Sequence, residues 1–298
     1  KALKLNWAMA VENYEKRYLR YCHTIAELSA FYKTHGITTV QLKGVGLSTY
    51  YPIPSHREGG DIDIFTYSAD HSRKSDAEAN RLMEEKGIEV DFEHSEKHSM
   101  FYYKGIPIEN HKTFINSETY RIAVKMDKLL QKLLQPVSAE LDGKCSILIP
   151  SSTFNTVFLA FHAAQHYARG LALHHLCDWA CLLNRYGLHI PEEVTDIRFR
   201  NMILAMTRLC NDYLGTSVPV YGGEELAEEI LREIIRLPYT MSVPAKNKWG
   251  ILVYKTKRML HTHRACNSVL RISLCKWVGN SILLHLRSPH TIFQTERK

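Results

Sequence analysis

Residues 57–65 read Arg-Glu-Gly-Gly-Asp-Ile-Asp-Ile-Phe, and chemistry is densest there. Asp61 and Asp63 alternate with Ile62 and Ile64. That is the period of a strand, so both carboxylates project from one face and both isoleucines from the other. Adjacent like charges cost free energy unless a cation lies between them. Mg²⁺ suits that position because it takes carboxylate oxygens together with substrate phosphates. Gly59 and Gly60 leave room for a phosphate chain to approach the backbone. A strand with a solvated polar face behind a glycine turn would carry the same letters, so the neighbouring elements decide.

Those neighbours favour phosphate chemistry. Apolar residues recur at helical spacing over 6–32, and Ile37-Thr38-Thr39-Val40-Gln41-Leu42 is β-branched and apolar, a first strand. It runs into Lys43-Gly44-Val45-Gly46 and a short helical segment over 47–51, which Pro52 and Pro54 end. Helix N-termini attract anions, and Lys43 adds a mobile charge, although an ordinary strand-end lysine would look the same. A short helix is predicted over 77–86 and a strand over 88–92. Residues 100–104 and 106–111 read as a hairpin around Gly105. In its second arm Ile106 and Ile108 share one face, and Pro107, Glu109 and His111 the other. Pro107 cannot donate to a ladder, which favours an edge or strand-start position. Glu109 is thus a third carboxylate on a half-buried strand, able to stand beside Asp61 and Asp63.

From about Glu118 the pattern turns helical, with candidates over 120–134, 151–167, 171–186, 197–214, 224–237, 248–261 and 268–286, the last interrupted by Gly279. The expected division is a core of residues 1–118 with its N-terminal helix, then a helical domain of residues 119–298 that closes on the acceptor side. The 298 residues and 45% hydrophobic content allow one large or two ordinary domains. Seven cysteines without a CxxC pair suggest reduced thiols. With no apolar run of spanning length and no signal-peptide pattern, the expectation is a cytoplasmic protein. Residues 246–298 hold eleven Lys or Arg against one acid, so in a chain of net charge +7 the remainder sums to −3. A basic tail is usually a solvated surface but can attract phosphates or an anionic membrane.

Leu42-Lys43-Gly44, Tyr51-Pro52, Arg57, Gly60-Asp61-Ile62-Asp63-Ile64 and Ile108-Glu109-Asn110-His111 together resemble a bacterial family of nucleotidyltransferases in the DNA polymerase β-like superfamily. Phe161-His162-x-x-x-His166 and Leu176-Cys177-Asp178-Trp179 resemble its C-terminal half, and the likeness spans about residues 10–215. The resemblance implies an α+β fold: a small mixed sheet with flanking helices, then an all-helical domain. It implies that Asp61, Asp63 and Glu109 are catalytic and bind Mg²⁺, as one ion or two, with Glu109 helping to deprotonate the acceptor. Lys43, Arg57 and the amides of Gly44, Gly59 and Gly60 would hold phosphates. For Arg57, a bond to Glu58 or a loop carbonyl is an equal alternative. The superfamily usually opens its first helix with Gly-Ser or Gly-Gly, where this chain has Lys43-Gly44-Val45, and the gap to Asp61 is longer than usual.

The partners implied are an NTP, ATP first, and a small-molecule, sugar or protein acceptor. Two competing readings are a non-catalytic nucleotide-binding module and a polynucleotide end-adding enzyme. The basic tail would suit the second, but no RNA-binding module accompanies it. Three clustered acids favour the enzyme. His111, His166 and Asp178 are candidates for the acceptor side. His162 and His166 have metal-ligand spacing, but Ala163 stands where His-Glu-x-x-His has its Glu. His174, His175 and Asp178 could suggest a metal phosphohydrolase, but the His-Asp dipeptide typical of that class does not occur. Zinc is therefore not expected, and His162 is assigned a core or hydrogen-bonding role.

Overall fold

The computed structural model describes residues 2–70, 73–93, 95–115, 122–141, 143, 145–167, 171–240, 247–287 and 289–293. The chain divides into two compact units, Lys1–Asn116 with Leu130–Asn155, and Ser117–Leu129 with Thr156–Lys298.

The first unit is a mixed sheet with helices packed on it, as the fold class anticipated. Its strands are β1 (Ile37–Gln41), β2 (Ile62–Ser68), β3 (Val90–Asp91), β4 (His98–Tyr103), β5 (Ile106–His111), β6 (Val137–Leu141) and β7 (Cys145–Ile149), in the order β3-β4-β5-β2-β1-β7-β6. β2 runs parallel to β5 and antiparallel to β1, while β1 runs parallel to β7. The β4–β5 turn places both Lys104 (φ 52°) and Gly105 (φ 71°) in the left-handed region, the requirement of a tight two-residue hairpin. Pro107 sits at a strand start: it pairs with Tyr102 of β4, one residue before β5 meets β2 at Ile108. The β6–β7 hairpin corrects the sequence reading, which placed no strand in the stretch following Glu118.

One face of the sheet buries Ile62, Ile64, Phe101 and Ile108. Helix α1 (Ala2–Thr34) supplies buried Tyr21, Cys22, Ile25, Leu28 and Tyr32 at three- and four-residue steps. Its N-terminal half lies in solvent, Trp7 being 72% exposed, so the apolar stripe read there does not all reach a core. Helix α2 (Val45–Ser48) follows β1. Helix α3 (Asp76–Glu85) brings Asn80 to a buried network in which Asn110 Nδ2 and Ser99 Oγ both donate to Asn80 Oδ1. Asn110 thus points away from its neighbours Glu109 and His111, and the acids occupy the opposite face.

Helices α4 (Ala123–Leu133) and α5 (Ser152–His166) contribute residues to both units. The second unit holds α6 (Leu173–Tyr186), α7 (Ile197–Tyr213), α8 (Glu224–Thr240), α9 (Lys248–Leu270) and α10 (Leu274–Arg287), which runs through Gly279 without a break. Buried Trp179 donates to Thr207 Oγ1 at 3.1 Å, joining α6 to α7, and Phe161 meets Phe199 edge-on. Asp196 caps α7 at the amides of Arg198 and Phe199 and pairs with Arg271 at 2.8 Å. All seven cysteines are free thiols, and no helix among the described residues is long and apolar enough to cross a membrane.

Candidate active site

The parallel register of β2 and β5 does what chain spacing cannot: it sets Asp63 opposite Glu109 and Phe65 opposite His111. The antiparallel β4 then sets His98 opposite His111. Four side chains from three strands therefore share one face. Asp63 is 1% exposed and holds two donors on Oδ1: Lys43 Nζ at 2.8 Å and His111 Nε2 at 2.9 Å. Glu109 Oε2 receives His98 Nε2 at 3.2 Å, and His111 Nε2 lies 3.5 Å from it. His111 Nδ1 donates to the Thr113 carbonyl at 3.2 Å. Asp61 stands just ahead of β2, half-buried at the edge of the cluster.

The electrostatics separate the three acids. Burial would raise Asp63, but the Lys43 charge and the His111 hydrogen bond outweigh it and hold the carboxyl well below its ordinary range. Glu109 is lowered too, as the His111 bond overcomes burial and the repulsion of Asp63. Asp61 goes the other way, raised by burial and by the Asp63 charge against the pull of Lys43. Burial brings His98 down to about 4, so it meets Glu109 as a neutral hydrogen-bond donor.

Asp63 Oδ2 is buried and has no hydrogen-bond partner among the described residues. A buried carboxylate oxygen left unsatisfied is costly unless a cation completes it. Asp63, Glu109 and His111 bring one ligand atom each within 4.8 Å of one another. The carboxylates of Asp63 and Glu109 thus fit a hard divalent ion, with Asp61 the nearest further oxygen donor in sequence and His111, whose two nitrogens both donate, orienting Asp63.

The residues expected to hold phosphates are placed differently from one another. Lys43 is engaged with Asp63, its side chain only 14% exposed. Gly44 (φ 55°) turns the chain from β1 into α2, where a side chain would press on the Asp61 carbonyl at 3.2 Å. The 59–60 loop is tied to α1 by its carbonyls, Arg17 Nη1 donating to Gly59 and Tyr21 Oη to Gly60. Arg57 Nη1 donates to the Glu58 carbonyl at 2.9 Å, the loop bond weighed as its alternative. Of the acceptor-side candidates, His111 is fully buried against Asp63, whereas His166 ends α5 and Asp178 is buried on α6, both in the second unit.

Two residues were missed. His98 precedes the apolar run that marks β4, so its place opposite His111 was invisible. Lys97, next to it, feels Asp63, Glu109 and Asp61 as attracting charges. Burial and Lys43 nonetheless lower its ammonium, and its side chain makes no hydrogen bond or ion pair among the described residues. Further along the acid face, Phe65, Tyr67, Arg73, Lys74, Gln131, Leu134 and Pro136 line a cavity of about 330 Å³.

The model of a family described as "uncharacterised nucleotidyltransferase" matches residues 1–215. The chain belongs to this family. The match takes in every strand of the sheet, the acid cluster and helices α1 to α7; α8, α9 and α10 lie beyond it. Among solved structures, an antigenic nucleotidyltransferase-like protein from Paracoccidioides brasiliensis is similar at a TM-score of 0.40 and 11% identity, over 70% of this chain and 91% of that one. No curated protein matches the chain. Within the nucleotidyltransferase family the acid cluster is the natural place to look for chemistry, since among the described residues it alone joins carboxylates to a candidate cation site.

Proposed function

We propose that this member of the nucleotidyltransferase family is a Mg²⁺-dependent enzyme of the DNA polymerase β-like kind. It would move an NMP group from an NTP, ATP first, to a hydroxyl or phosphate of an acceptor. The observation that carries the reading is Asp63 paired in register with Glu109, with Asp63 Oδ2 buried and without a hydrogen-bond partner among the described residues.

Asp61, Asp63 and Glu109 would hold the metal, which when bound supplies charge neutralisation at the phosphates and a more acidic acceptor hydroxyl. In the transfer, the acceptor oxygen bonds to the α-phosphorus while the bond to the β-phosphate oxygen breaks, releasing pyrophosphate. Lys43 and His111 fix the Asp63 carboxylate in place and in its charged form. His98 and His111 do the same for Glu109 through Oε2, leaving Oε1 as the atom to take the acceptor proton. Lys97, which feels the charges of Asp63, Glu109 and Asp61 and has no side-chain partner among the described residues, is our candidate for the triphosphate, ahead of the engaged Lys43. The cavity beside Phe65, with Arg73 and Lys74 on its wall, offers space for an anionic acceptor.

Calorimetry should show ATP binding at least about tenfold tighter in Mg²⁺ than in EDTA, a difference of about 1.4 kcal/mol. Incubation with α-labelled NTPs and a panel of small molecules, sugars and proteins should then label an acceptor. Equal ATP affinity in Mg²⁺ and EDTA would overturn the metal assignment.

A further inference from the structure

On α5, His162 and His166 are four residues apart and therefore on one helical face, their ring centroids 4.6 Å apart. The fold adds a third imidazole from the next helix: His175 of α6 lies 5.4 Å from the His162 ring and 4.8 Å from the His166 ring. One nitrogen from each of the three comes within 4.8 Å of the others. We propose that His162, His166 and His175 form a binding site for a divalent transition ion of the zinc class, separate from the acid cluster and independent of the function proposed above.

The ligand set selects the ion. Three imidazoles without a carboxylate suit Zn²⁺, Co²⁺ or Ni²⁺, whereas Mg²⁺ takes oxygen donors. Nitrogens around one tetrahedral ion at about 2.0–2.1 Å stand roughly 3.3 Å apart, so the rings must close by up to about 1.5 Å, a matter of side-chain torsions. His162 and His166 are half-buried, while His175 is 7% exposed. Its Nδ1 lies 3.1 Å from both the Ala172 amide nitrogen and the Ala172 carbonyl oxygen. In the tautomer whose Nδ1–H donates to the carbonyl, the Nε2 lone pair is left for the metal, the usual way a ligating histidine is oriented. Metal binding would select that tautomer over the one in which Nδ1 accepts from the Ala172 amide. Asp178, buried one turn further along α6, adds a negative charge that His175 feels. Ala163 in place of a glutamate removes the neighbouring general base of a metalloprotease, so the inference is for ion binding that ties α5 to α6, with a coordination position left open.

Co²⁺ is the probe, titrated into the full chain with Mg²⁺ in excess to fill the oxygen-rich cluster. The expected result is visible d–d absorption saturating at one equivalent per chain, with a Kd in the micromolar range or tighter. His162→Gln and His166→Gln should each weaken binding at least about 100-fold, and Glu109→Gln should leave it unchanged. The wild-type titration needs no variant to fold: absence of stoichiometric d–d bands overturns the proposal. So does their survival in both histidine variants, or their loss in Glu109→Gln.

Discussion

The acid cluster and the histidine cluster each gather ligand atoms within 4.8 Å, but they do so by different physics. In the sheet, Asp63 and Glu109 are neighbours because backbone hydrogen bonds lock β2 and β5 in register, and a one-residue slip would turn either acid to the wrong face. The cluster is charged and mutually compensated, and removing one member strands another. In the helical unit, His162 and His166 are neighbours through helical pitch alone, and His175 joins them through helix packing. That cluster can be made of neutral rings, each able to lose its neighbours at little cost. Rigid charge suits a hard cation and phosphates; adaptable imidazole suits a softer ion.

The sharpest break of this comparison is at Glu109. Glu109→Gln should lower transfer by about 10³-fold or more, as expected for loss of a charge that acts on the transition state. ATP binding should weaken only modestly. Since His111 and His98 both stabilise the carboxylate, a small loss of stability should accompany the change. Activity within a few fold of wild type in a labelled-NTP assay would show that Glu109 is only a strand residue.

Asp63 should show the largest effect on stability. Asp63→Ala leaves Lys43 buried without its partner, which costs about 3–5 kcal/mol by urea unfolding. Adding Lys43→Met should recover a substantial part of that loss. The pH dependence follows from the lowered carboxyl. Asp63's contribution is present above the ordinary value of 3.8 and disappears as pH falls through its folded-state pKa, so wild type and variant should converge only in strong acid. No such convergence, or no rescue by the double change, would show that the pair is not a unit.

The legibility of the two clusters differs for the same reasons. Asp61-Ile62-Asp63-Ile64 and Ile106-x-Ile108-Glu109 could be read because period two separates a buried face from a functional one. That the two strands are hydrogen-bonded neighbours was an inference, since no local pattern encodes register between strands. His98 and Lys97 escaped because they precede the aromatic run that identified β4. The β6–β7 hairpin escaped because Ser138, Glu140 and Ser146 interrupt short apolar stretches that a helical frame absorbs as easily. Two of the three histidines, His162 and His166, were visible at four-residue spacing. His175 was weighed only with His174 and Asp178, and that it joins the other two was not legible, because the crossing of α5 and α6 is set by packing.

A smaller effect separates the two metals. His162→Gln should weaken Co²⁺ binding about 100-fold, about 2.7 kcal/mol, yet leave Mg²⁺-dependent ATP affinity within about twofold. Parallel calorimetric titrations of Co²⁺ and of Mg²⁺ with ATP make the check. A loss of both together would mean the clusters are not independent.

The smallest effect is the most discriminating for Asp61. Its carboxyl is raised above the ordinary value, chiefly by burial and then by the Asp63 charge, so its ionised form is a liability in the folded protein. For an acid raised on folding, the stabilisation is full below the unfolded pKa and lost as pH rises through the folded one. At neutral pH, therefore, Asp61→Asn should raise the melting temperature in EDTA by about 1–3 °C, and the gain should fade as pH is lowered through the carboxylate range. Mg²⁺ reverses the order if Asp61 is a metal ligand. Wild type should gain stability on adding Mg²⁺, and Asp61→Asn should gain much less, so the two melting curves cross between EDTA and saturating metal. Scanning both proteins in both conditions tests this directly. An equal Mg²⁺ response in the two would take Asp61 out of the metal site and leave Asp63 and Glu109 to hold the ion without it.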